Sequence, residues 1–167
     1  MSAWKLDRDE GEALWFFANL MLVKVSKEQA RGHFSLLDSI GARGDMAPLH
    51  LHEKDDEFFY VLEGEIDYWV GDAEPVRAGP GALVYAPRGI PHTYRVESES
   101  GARWLVLTGP GDFEPFVTAL GRPAEAPTLP PPTAPPTPEQ AEGMVALAHE
   151  HGISILGPPG MLPSELS

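Results

Sequence analysis

Residues 48–65, "PLHLHEKDDEFFYVLEGE", decide the fold. The segment sets two imidazoles one residue apart, follows them with a cluster of acids, and then enters an aromatic and branched apolar run. On a strand, side chains two apart share a face, so His50 and His52 point the same way. Glu57 lies five residues beyond His52 at the head of the apolar run, and one short turn would bring its carboxylate back to the imidazoles. Two readings stay open on these residues alone: an ordinary solvated loop between strands, or a metal site.

The flanking sequence predicts strands. "FFYVLEGEIDYWVGD" (58–72) reads as two strands joined at Glu63-Gly64, and "VRAGPGALVYAPRGIPHTYRV" (76–96) continues the alternation of short strand and Gly/Pro punctuation. "ARWLVLTGP" (102–110) makes a further strand. Upstream, 33–40 reads as a strand, and the apolar run 13–25 as either a strand or a short helix. Strands at this spacing indicate an antiparallel sandwich or barrel rather than alternating β and α units. In "APRGIPHTY" the prolines and glycine fix a turn that aims His92, the fourth candidate ligand. Three imidazoles and a carboxylate form a borderline donor set that suits Fe, Ni, Mn, Co or Zn better than the all-oxygen shells of Mg or Ca. A six-coordinate ion held this way keeps two positions for water, substrate or dioxygen.

Beyond Gly109 the pattern changes. Phe113, Phe116, Val117 and Leu120 recur at helical spacing up to Gly121. Half of the sixteen residues from Pro123 to Pro138 are proline, which predicts an extended strap without a core of its own. "TPEQAEGMVALAHEHG" (137–152) reads as a helix with Thr137 as N-cap, Pro138 at the first helical position and Gly152 as the stop. The tail "ISILGPPGMLPSELS" is too short to fold alone. The expected organisation is a β-barrel domain over 1–111 and a helical, proline-rich appendage over 112–167, packed on the barrel or on a partner subunit.

Composition narrows the function. The 167 residues carry 12 basic and 25 acidic side chains, a net charge of −13, so no basic stripe is available for nucleic acid or an anionic membrane surface. There are no cysteines, which excludes disulfides, thiolate metal sites and a cysteine nucleophile. No apolar run approaches the ~18–20 residues that cross a bilayer. The first residues lack a basic stretch followed by an apolar one, so a cytoplasmic location is expected.

The spacing around these residues resembles the two signatures of the cupin superfamily. Gly44 is followed after five residues by His50, then by His52, Glu57 and Gly64; Gly81 is followed by Pro87, Gly89 and His92. One departure is Val96, where cupins usually carry an Asn that is not a ligand. The resemblance implies an all-β fold, an antiparallel jelly-roll β-barrel that often pairs into homodimers, with one divalent transition metal held by His50, His52, Glu57 and His92. The single barrel and the tail from "GPGDFEPFV" through the strap to "HGISILGPPG" are similar to bacterial quercetin-dioxygenase-like cupins. In that group a flavonol or similar aromatic enol meets the metal, the glutamate, here Glu57, is the base, and dioxygen cleaves the ring. Phe34, Leu36, Phe59, Val61, Tyr85 and Tyr94 are the expected pocket wall for such a flat substrate, while Glu53, Asp55 and Asp56 are expected to be a solvated turn. Two other readings accompany this one: a metal-dependent cyclase or isomerase of a polyketide-like aromatic, and a non-catalytic small-molecule binding cupin.

Overall fold

In a computed structural model, residues 3–132 and 134–166 are described, so Thr133 of the strap lies outside them. The chain runs β1 (Glu12–Phe16), β2 (Asn19–Val25), β3 (Ser35–Gly41), β4 (Pro48–His52), β5 (Asp56–Glu63), β6 (Ile66–Val70), β7 (Val76–Ala78), β8 (Leu83–Ala86), β9 (His92–Val96) and β10 (Ala102–Gly109). Helix α1 (Phe113–Leu120), a two-residue β11 (Arg122–Pro123), α2 (Pro138–Glu150), β12 (Ile153–Pro159) and one 3₁₀ turn (Pro163–Glu165) follow.

These strands form two sheets. One has seven strands in the order β11-β1-β2-β3-β10-β5-β8, and the other has five in the order β12-β4-β9-β6-β7; every pairing is antiparallel. The jelly roll is therefore two facing sheets rather than one cylinder of continuous hydrogen bonds. Period-two alternation decides what lies between them. On β5, Glu57, Phe59 and Val61 are buried while Tyr60 is exposed; on β10, Ala102, Trp104, Val106 and Thr108 are buried. These meet Leu37, Ile66, Tyr68 and Val96 in one core, to which α1 adds Phe116 and Val117.

The ambiguous run 13–25 is a hairpin, β1 paired with β2. Its two-residue corner puts Phe17 at φ 51°, a left-handed conformation more usual for glycine, which is why no turn signal marks it. Gly64, at φ 78°, does what glycine is suited to: a Cβ there would run into the Gly101 carbonyl and the Ala102 backbone. The tail, read from sequence as part of an appendage, supplies β12, which pairs with β4. Helix α2 begins as its sequence predicts, with the Thr137 hydroxyl accepting from the Gln140 amide.

Outside the seven-stranded sheet, an ion pair pins the N-terminal segment. Arg103 donates from Nε and Nη2 to the two oxygens of Asp38 at 2.9 and 2.7 Å, and from Nη1 to Asp9 at 2.8 Å. Lys24 donates to the carbonyls of Asp7, Arg8 and Glu10, with its Nζ 3.9 Å from Asp38. Asp38 and Arg103 are both buried. Removing the acid from such a pair leaves buried cations uncompensated. Asp38→Ala should lower the unfolding free energy by about 3–5 kcal/mol in denaturant titrations; a loss under about 1 kcal/mol would show that the pair does not anchor this face.

Candidate metal centre

Strand β4 presents His50 and His52 to the inside, as their spacing requires. His92, the first residue of β9, lies directly opposite His50 across the β4–β9 ladder. The turn before it is tied to the same strand: the Gly89 amide donates to the His52 carbonyl at 2.7 Å. Glu57 comes from the other sheet, where it sits between Thr108 of β10 and Ala86 of β8. One sheet thus contributes three imidazoles and the facing sheet one carboxylate. One ligand atom from each lies within 4.8 Å of all the others.

The tautomers of two rings are set by their neighbours. His50 Nδ1 lies 2.7 Å from the Pro48 carbonyl and His92 Nδ1 2.9 Å from the Ile90 carbonyl. A carbonyl only accepts, so both Nδ1 atoms carry hydrogen and both Nε2 atoms are left to face the centre. There, Glu57 Oε2 sits 2.9 Å from His92 Nε2 and 3.2 Å from His52 Nε2. A lone pair that faces a carboxylate at this distance calls for a cation between them, either a proton or a metal. His52 Nε2 is also buried without a hydrogen-bond partner. The donor chemistry, the convergence and the orphaned nitrogen fit a divalent transition metal.

The electrostatics agree with that fit. Burial, then repulsion from His92 and His52, lowers His50 to about 3, so this ring is neutral at physiological pH. For Glu57, burial favours the protonated acid, but the proximity of His52 and His92 outweighs it and holds the carboxyl far below its ordinary range. Burial likewise opposes a charge on His52, yet Glu57 outweighs it and raises that ring. Beside Glu57 a positive charge on His52 is thus favoured despite its burial.

The expected pocket wall divides in two. Phe59 and Val61 face inward beside Glu57, and the Phe59 ring lies 6.2 Å from His92. Tyr94, two residues beyond His92 at the middle of β9, is also inside, but its hydroxyl donates to Asp45 and accepts from Asn19, both at 3.0 Å. Phe34, Leu36 and Tyr85 are not brought to the cluster. Tyr85 precedes Ala86, the residue opposite Glu57, so alternation sends it outward, where it stacks on Phe58 at 4.8 Å. Leu36 lies between buried Ser35 and Leu37 and faces outward for the same reason, and Phe34 is exposed ahead of β3.

The acids after His52 are not one solvated turn. Glu53 is exposed, but Asp55 is buried, and its carboxylate accepts from the Gly111 and Phe113 amides at 2.8 and 3.1 Å, which caps the approach to α1. Asp56 accepts from the Arg88 side chain at 2.6 Å and from Tyr85, and Arg88 holds it down to about 2. The cap places Phe113 edge-on to His52, with ring centroids 5.6 Å apart. Sequence spacing assigned Phe113 to a helix and carried no signal that this helix would roof the ligands.

Comparison with known proteins gives the same direction. Residues 39–108 match the cupin domain family. Quercetin 2,3-dioxygenase of Bacillus subtilis (strain 168) is 34% identical over 125 residues, which is 75% of this chain and 36% of that protein. The chain therefore spans about a third of the length of that relative. Among solved structures, the polyketide cyclase RemF from Streptomyces resistomycificus superposes with a TM-score of 0.56 at 22% identity, covering 65% of this chain and 80% of the other. A predicted oxalate decarboxylase from Thermotoga maritima gives 0.52 at 21%, covering 55% and 79%. At these identities the two structures speak for the fold alone. Residues 39–108 therefore form a cupin domain, carried in a chain that resembles the quercetin-dioxygenase-like cupins.

Proposed function

We propose that this cupin is a metal-dependent ring-cleaving dioxygenase of the cytoplasm, acting on a flavonol or similar aromatic enol. The observation that carries the reading is the 34% identity to a quercetin 2,3-dioxygenase, in a chain whose three inward imidazoles and one carboxylate converge. His50, His52, Glu57 and His92 would hold one divalent transition metal. When bound, such an ion supplies Lewis acidity and a template for substrate and dioxygen.

The chain's own residues select the substrate chemistry. Glu57 stays ionised throughout the physiological range, held down by two imidazoles. As the one carboxylate beside the three imidazoles, Glu57 is placed to accept the proton of an approaching hydroxyl, and that transfer is easiest from an acidic one. An aromatic enol meets that condition better than an aliphatic alcohol or a sugar. Phe59 and Phe113, both against the imidazoles, provide apolar contact and help to exclude water. No described helix is long and apolar enough to cross a membrane.

Two measurements test this reading. Glu57→Gln should lower turnover of an aromatic enol by ~10²-fold or more, followed with an oxygen electrode, while the three imidazoles retain part of the metal by elemental analysis. Unchanged turnover would remove Glu57 from the proton transfer, and turnover without oxygen uptake would turn the reading toward a cyclase or isomerase. Metal loading should also displace the proton on His52. Because that ring is raised, affinity should climb by up to ~10-fold per pH unit while His52 remains protonated, then level off. His50, lowered to about 3, and Glu57 already stand in their ligating forms and should add no step above pH 5. Competition titrations with Zn or Ni across pH 5–9, with proton release recorded, would show the slope; a flat profile would contradict it.

A further inference from the structure

Two tyrosines stand side by side in the interior, one inward position along from the His92 level, and the fold treats them differently. On β6, Tyr68 lies opposite Tyr94 of β9, just as Val70 lies opposite His92. The two tyrosine rings are 6.2 Å apart. Tyr94 is fully bonded, donating to Asp45 and accepting from Asn19. Tyr68 is 1% exposed, yet its hydroxyl has no hydrogen-bond partner among the described residues. A buried hydroxyl left unpaired is costly, and folded proteins keep few of them. Its surroundings connect it to the ligands. The ring packs on Phe59 at 4.9 Å, and Phe59 is the next inward residue after Glu57 and lies 6.2 Å from His92. Burial, and then the Glu57 charge, raise the phenol well above its ordinary range, so it remains an O–H donor.

Other donors near the centre are already engaged. His50 and His92 direct their Nδ1 hydrogens to the Pro48 and Ile90 carbonyls. The Thr108 hydroxyl, on the residue opposite Glu57, is paired with Ser35 at 2.8 Å. Trp104 Nε1 and Ser39 Oγ are also unpaired among the described residues, but they lie deeper, Trp104 opposite Val61 and Ser39 opposite Trp104. We propose that Tyr68 is a further catalytic residue, whose hydroxyl donates a hydrogen bond to the oxygen of an aromatic enol as Glu57 takes that oxygen's proton. The inference rests on the reading of this centre as a site for such an enol. When the enol O–H bond breaks, its proton goes to Glu57 and its electron pair stays on the oxygen. Tyr68 meets the growing charge in a dry interior, where a hydrogen bond to an ion is stronger than one to a neutral oxygen. It keeps its own proton throughout.

Titration of the zinc-loaded full chain with unsubstituted flavonol under nitrogen tests this, because the enol and its anion absorb at different wavelengths. Tyr68→Phe should weaken binding of the anion by ~10-fold or more and raise the pH at which the bound enol ionises by about one pH unit. Zinc content should match that of the parent. Without metal, the melting temperature of Tyr68→Phe should equal or exceed the parent's, since the hydroxyl removed had no bond to lose. Tyr94→Phe, which loses its bonds to Asp45 and Asn19, should melt lower. Parent-like binding and ionisation in Tyr68→Phe would overturn the proposal and leave the enol reading standing. A lowered melting temperature in Tyr68→Phe would make the hydroxyl a structural one and overturn the proposal as well. A zinc-loaded parent that binds no flavonol would overturn both.

Discussion

One carboxylate reaching from one sheet into three imidazoles on the other is the constraint from which the rest of the molecule can be understood. Burying Glu57, His52 and His92 together in an apolar interior costs several kcal/mol per uncompensated charge. The cost is met only if a positive charge completes the set. Every element around the site serves that convergence. The β4–β9 ladder places His50 opposite His92, the PRGIP turn is bonded to His52's own carbonyl, and β10 and β8 flank Glu57. Slipping β5 by one residue would turn Glu57 to solvent and Phe58 inward, so the site and the core share one register.

Much of this was legible in the sequence because it rests on period-two alternation. The inward placement of His50, His52, Glu57, Phe59 and Val61 follows from spacing along two strands, and the Thr137–Pro138 start of α2 from local capping chemistry. What escaped depends on partners distant in the chain. Asp55 looks like any acid in a charged turn until Gly111 and Phe113, more than fifty residues on, bring their amides to it. Leu36 and Tyr85 are as apolar as Phe59, and only the register of β3 and β8 shows that they face the other way. Phe17 takes a left-handed conformation without glycine's signal, so the β1–β2 corner was invisible.

The segments without periodicity have a common role. The N-terminal stretch, the first residues of the proline-rich strap as far as Thr128, and the tail all run over sheet faces or edges that would otherwise lie open. Proline suits such work, because an extended strap already fixed in φ loses less entropy when it is laid down. The buried Arg103–Asp38 pair plays the corresponding part for the N-terminal segment, trading a polar contact for a fixed position.

The pairing of β12 with β4 has a consequence for biosynthesis. The strand carrying His50 and His52 takes as its edge neighbour a segment made roughly 100 residues later, so at ~5–20 residues per second it waits on the order of ten seconds after emerging. During that interval the imidazoles hang on a strand with one side open, able to meet whatever cation the ribosome's surroundings supply. The edge that β12 closes is thus the last part of the site's surroundings to be made.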